Sequence, residues 1–111
     1  MNSESAISGY IKVYRSILDW EWFDDANTLQ LFLYLIIKAS FKDAEWHGIK
    51  IKKGDLICSL ASISKGTGLS QQSVRTSLNK LKSTGEITST ATNKYTVVTI
   101  VNYSKYQSFE E

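Results

Sequence analysis

Apolar residues change their spacing along this chain, and each change marks a new element. Between Gly68 and Ile87, Val74, Leu78 and Leu81 fall at offsets of four and seven. At about 100° per residue they form one stripe facing a core, which predicts a helix. Ser70 is its natural N-cap, because the hydroxyl can accept an amide N–H that the first turn leaves unpaired. Gly85 stands where a residue of positive φ closes a helix, and Lys80 and Lys82 set positive charge against the negative end of the dipole.

Upstream, Leu60 and Ile63 precede a glycine-containing turn at Gly66-Thr67-Gly68-Leu69. A short helix, a tight turn and a second capped helix make a helix-turn-helix, with Leu69 as the buried residue pinning the pair. Downstream, residues 86–92 and 95–101 are rich in β-branched side chains and separated by Asn93-Lys94. They predict two strands joined at a tight turn. A hairpin in that place is a wing, with Asn93 and Lys94 at its tip and Thr92 nearby; the plainer alternative is a hairpin that only stabilises the domain.

The amino-terminal half is more apolar. Residues 1–9 predict a loose arm, followed by an extended piece from Tyr10 that runs into a helical turn near Ile17 to Phe23. Trp20, Trp22 and Phe23 need a large surface to cover them. Asp24 to Thr28 offers several N-caps for a helix over Leu29 to Ala39, which is apolar nearly all round and so enclosed on more than one side. Tyr34 and Lys38 are its expected solvent contacts, the aromatic arm its expected cover, and a homodimer interface the alternative. Phe41 to Gly48 is polar and turn-like, and Ile49, Ile51, Leu56 and Ile57 around Lys52-Lys53-Gly54-Asp55 predict one or two short strands. An aromatic and acidic tail over 102–111 is expected to fold back at Tyr103 and Tyr106.

At 111 residues and 42% apolar composition, the chain predicts one domain with one core. The net charge of +2 is small, but its distribution is not even. Between Glu45 and Glu110 only Asp55 and Glu86 are acidic, against nine Lys or Arg. That asymmetry favours a polyanionic partner for the second half, although it also serves solubility. Cys58 alone cannot form an intrachain disulfide and suits a buried position in a reducing, cytoplasmic setting. Met1 to Gly9 lacks the blocks of a signal peptide, and Leu29 to Ala39 is about half the length of a membrane span. No membrane partner is expected.

The polar face of the helix after Ser70 carries Gln72, Thr76, Asn79 and Lys80, flanked by Gln71, Ser73 and Arg75, with no acid among them. A solvated structural helix ordinarily mixes Glu with Lys. Gln and Asn amides pair with adenine edges, Arg with guanine, and Ser, Thr and Lys hold phosphates. This surface predicts a DNA-recognition helix, with Gln71, Gln72 and Arg75 in the major groove and Thr76, Asn79, Lys80 and Lys94 on the backbone. A soluble outer face is the plainer reading. His47, the sole histidine, has no Cys or acid at ligand spacing and is expected to be a surface ring rather than a metal ligand. No phosphate-cradling glycine loop, metal-spaced cluster or supported triad is present, so no enzyme and no cofactor are expected.

The predicted order of elements resembles a winged helix-turn-helix, an α+β fold with a helical core, a short strand and a two-stranded carboxy-terminal wing, spanning residues 1–111. More specifically, Gly9-Tyr10-Ile11-Lys12-Val13-Tyr14-Arg15-Ser16-Ile17-Leu18-Asp19-Trp20, Ile51-Lys52-Lys53-Gly54-Asp55, the block Gly68 to Ile87, Asn93-Lys94-Tyr95 and Val101-Asn102-Tyr103 resemble the amino-terminal domains of bacteriophage replication-initiation proteins. These are the replisome organisers often joined to DnaD-like regions. The resemblance implies origin binding on double-stranded DNA, with Ser70, Gln71, Gln72, Ser73 and Arg75 on the DNA, and replication proteins as partners. With the sequence accounted for by the winged part, an isolated DNA-binding module or a shortened relative is expected. A winged-helix transcription regulator and a protein-binding winged domain are the competing readings.

Overall fold

The computed structural model describes residues 9–107, so the expected arm, apart from Gly9, and the tail's Phe109 lie outside the described residues. The described chain is an α+β domain of four helices and two small antiparallel sheets, compatible with a winged-helix arrangement. Helix α1 is Ala26–Lys38, α2 Leu60–Thr67, α3 Gln71–Ser83 and α4 Tyr103–Tyr106. Strands β1 (Ala44–Trp46) and β2 (Ile49–Ile51) pair as a separate ribbon, while β3 (Asp55–Cys58), β4 (Ile87–Ala91) and β5 (Thr96–Ile100) form a sheet of order β3-β5-β4.

Helix α1 starts three residues earlier than its apolar run, because Asp25 wins among the possible caps and accepts the Thr28 amide at 3.2 Å. Its buried face is Leu31, Phe32, Leu35 and Ile36, all less than 4% exposed. Truncating one of its buried leucines to alanine would cost about 2–5 kcal/mol. The expected outlets to solvent need one correction. Lys38 is exposed, but the other exposed side chain late in the helix is Ile37, and Tyr34 is half-buried. Tyr34 lies against α2 at Gly66, where a Cβ would fall 2.6 Å from its hydroxyl oxygen.

The aromatic arm does cover α1. Its 3-10 turn, Arg15–Asp19, leads to Trp20, whose ring packs on Phe32 at 5.0 Å, and Tyr106 meets the same Phe32 edge-on at 5.5 Å. Lys12 donates its amide to the Tyr106 carbonyl at 2.6 Å, tying arm to tail. Tyr103 is buried, as the fold-back of the tail required.

The segment 41–48, expected as a turn, instead contains β1. Ala44, Glu45 and Trp46 face Ile51, Lys50 and Ile49 across a two-residue connection, His47-Gly48. Both connecting residues have positive φ, 50° and 79°, the backbone of a type I′ turn whose twist suits a hairpin. Gly54 then turns the chain at φ 87° into β3, which pairs with β5 from Asp55↔Thr99 to Cys58↔Thr96. A side chain at Gly54 would meet Tyr103 Cβ at 2.9 Å, so glycine is required there by both conformation and space.

Candidate nucleic-acid interface

Helix α2 opens on a reciprocal cap between Ser59 and Ser62 and ends at Gly68, in the left-handed region at φ 79°. The turn that follows is held from inside. Ser64 Oγ donates to the Leu69 carbonyl at 2.5 Å, and the Leu69 amide donates to Thr67 Oγ1 at 3.2 Å. Leu69, expected to be buried, is half-buried and packs against the core. The chain therefore enters α3 in a fixed direction.

Helix α3 is capped by Ser70, whose Oγ accepts the Ser73 amide at 3.1 Å and donates to Ser73 Oγ at 3.0 Å. Ser70 and Ser73 are thus engaged in the cap, and Ser73 is half-buried. At the other end Thr84 is the C-cap and Gly85 the following residue of positive φ. Gly85 donates to the Lys82 carbonyl and Glu86 to that of Leu81, closing a Schellman motif. The buried stripe is Val74, Ser77 and Leu81, with Leu78 only half-buried. Ser77, which no apolar pattern could single out, reaches the core because the buried hydroxyl of Thr28 donates to it at 2.9 Å.

Gln71, Gln72, Arg75, Thr76 and Asn79 are all exposed along one side of α3. Their side chains are linked lengthwise: Arg75 donates to Gln72 Oε1 at 3.2 Å, and Gln72 Nε2 donates to Thr76 Oγ1 at 3.4 Å. Lys80 is placed differently from the rest of the expected set. Its Nζ lies 2.6 Å from Asp25 Oδ2 and 5.5 Å from the Trp22 ring centroid, directed to α1 and the arm. Asp25 is held below the ordinary carboxyl value chiefly by that bond from Lys80, against a smaller opposing effect of burial.

Two more indole donors fasten the end of α3. Trp20 Nε1 donates to Glu86 Oε2 and Trp22 Nε1 to Thr84 Oγ1, both at 3.0 Å. Beside them lies a cleft of about 320 Å³ bounded by the arm, α1 and the tail, with Trp20, Phe32, Glu86 and Tyr106 in its lining. Burial, with the Glu86 charge second, raises the Tyr106 phenol. Cys58 is a free, buried thiol, pushed up to about 11 by burial.

Asn93 and Lys94 are exposed at the turn of the β4–β5 hairpin. Thr92 shapes that turn, its Oγ1 accepting the amides of Lys94 and Tyr95 at 3.1 and 3.0 Å. Among the described residues no hydrogen bond joins this turn to α3. The expected set thus falls into an exposed row on α3, a cap pair, an inward-turned Lys80, and a separate turn.

One group of side chains was missed by the sequence reading. Trp46 meets His47 edge-on at 4.3 Å and Tyr95 edge-on at 6.5 Å, joining the β1–β2 hairpin to the β4–β5 turn. The signal in the sequence is the alternation of Ala44, Trp46, Ile49 and Ile51 with Glu45 and Lys50 on either side of His47-Gly48. Among the described residues no three His, Cys, Asp or Glu group to hold a metal, and no helix is long and apolar enough to cross a membrane. No protein family, curated protein or solved structure matches the chain.

Proposed function

We propose that this chain is a winged helix-turn-helix protein that binds double-stranded DNA, with α3 as its recognition helix and the β4–β5 hairpin as its wing. The observation that carries this reading is the exposed, acid-free row Gln71, Gln72, Arg75, Thr76 and Asn79 on a helix whose opposite side is fully committed to the core. Amides and a guanidinium on a rigid helix suit base edges in the major groove. Asn93 and Lys94 are assigned to the phosphate backbone. Lys80 is left out of the contact set, because its charge is already answered by Asp25. Initiation of phage-type or mobile-element replication is the setting suggested by the resemblance of the Gly9 to Trp20 block.

The test is selection of bound duplexes from a random pool, followed by titration of the winning duplex with the wild type and with Arg75→Ala. A defined motif is expected, and Arg75→Ala should lose about 1–3 kcal/mol on it. Unchanged binding by Arg75→Ala would remove the recognition role from α3. Repeats of the motif at an origin would support replication, and an inverted repeat beside the chain's own gene would favour regulation.

A further inference from the structure

The β1–β2 hairpin lies outside the helix-turn-helix and its wing, and it is built in an unusual way. Its turn places His47 at φ 50°, the only positive-φ residue other than glycine among the described residues, in a conformation that an L side chain adopts at a cost. His47 is exposed at the end of the ribbon, its imidazole edge-on to the Trp46 ring at 4.3 Å. A side chain held in a strained position at an exposed tip is a reason to look for a use.

The tip is not isolated. Trp46 immediately precedes the His47-Gly48 turn, and Tyr95 closes the Thr92–Tyr95 turn through its carbonyl, which accepts the Thr92 amide at 2.8 Å. The edge-on contact between the Trp46 and Tyr95 rings therefore sets the two turns side by side. Together they present His47, the half-exposed Trp46 indole, Asn93 and Lys94. No acid lies within either turn; Glu45, on the outer face of the ribbon, stands across from Lys50 and offsets it. Among the described residues the indole N–H of Trp46 donates to nothing, although those of Trp20 and Trp22 both have acceptors.

We infer that the β1–β2 hairpin is a second backbone contact, laid beside the wing on the phosphates of the same duplex that α3 reads. This rests on the duplex-binding reading above and extends it. The chemistry offered is an indole N–H, an imidazole and an amide beside the Lys94 ammonium, which suits phosphate oxygens and carries no base code. Two neighbouring tips would follow one strand for longer than the wing alone.

His47→Asn and His47→Asp test this without disturbing the turn, since both replacements tolerate positive φ and are nearly the same shape. The full chain is titrated with a fluorescent mixed-sequence duplex and with the corresponding single strand over a range of salt, and folding is checked by circular dichroism. The expected result on duplex is weaker binding by His47→Asp than by His47→Asn, by about tenfold at low salt, with the gap closing as salt rises. Equal binding by both variants and the wild type, with Arg75→Ala still impaired, would overturn the hairpin contact and leave the recognition helix standing. A gap seen only on the single strand would overturn it too. Failure of the wild type to bind any duplex would overturn this inference together with the reading it rests on.

Discussion

Lys80 of α3 donates to Asp25, the residue that caps α1, at 2.6 Å. Asp25 thereby closes one helix and anchors another, and one turn along each helix Thr28 and Ser77 meet in the same interface. The two contacts fix α3 in rotation about its own axis. The face it presents is set by α1 together with the turn from α2 that fixes its entry.

The Asp25–Lys80 pair is half-exposed, so its own contribution should be about 0.2–1 kcal/mol at neutral pH and should shrink in high salt. The Asp25 carboxyl is held below its ordinary 3.8, so its contribution is complete above that value and disappears as pH falls through the lowered one. Asp25→Asn keeps a capping oxygen and loses the ion pair. Urea unfolding at pH 7 and pH 3 should show the wild type ahead of Asp25→Asn at the higher pH, with a smaller gap at the lower.

Thr28→Val leaves the buried Ser77 hydroxyl without its donor and should cost about 1–3 kcal/mol. Adding Ser77→Ala removes the stranded group, so the double variant should recover part of that loss. A double-mutant cycle by chemical denaturation measures the coupling, and strict additivity would mean the hydroxyls are satisfied by other routes.

Gly54→Ala meets two penalties at once, a left-handed backbone and the Tyr103 side chain at 2.9 Å. A loss of about 2–4 kcal/mol is expected. Gly48→Ala has the same sign of φ but no neighbour within 4 Å, and should cost less. Comparing the two melting curves separates the packing cost from the conformational one.

Lys94→Ala should weaken binding to every duplex alike and lower the salt slope by about 0.9, the value for one phosphate contact. Arg75→Ala should instead flatten preference among sequences. Measuring both variants on a selected duplex and on a scrambled one distinguishes the roles.

The elements with both ends marked chemically were legible in the sequence. Ser70 and Gly85 bounded α3 to within a residue, and the β-branched run on either side of Asn93-Lys94 gave the β4–β5 hairpin. What escaped depends on distant partners. Ser77 is polar and becomes core only because Thr28 is opposite it, and Lys80 looks available until Asp25 arrives from 55 positions earlier. The short strands expected around Lys52-Lys53-Gly54-Asp55 are β2 and β3, whereas their partner β1 was hidden because Ala44, Glu45 and Trp46 are all exposed and the segment around them is as polar as a loop.

Val74, Ser77, Lys80 and Leu81 join α3 to the rest of the domain, whereas the exposed side chains at 71, 72, 75, 76 and 79 bond at most to one another. The helix can be rewritten at those five places without renegotiating the fold. A library randomised there, with proline and glycine excluded, should yield folded proteins almost throughout.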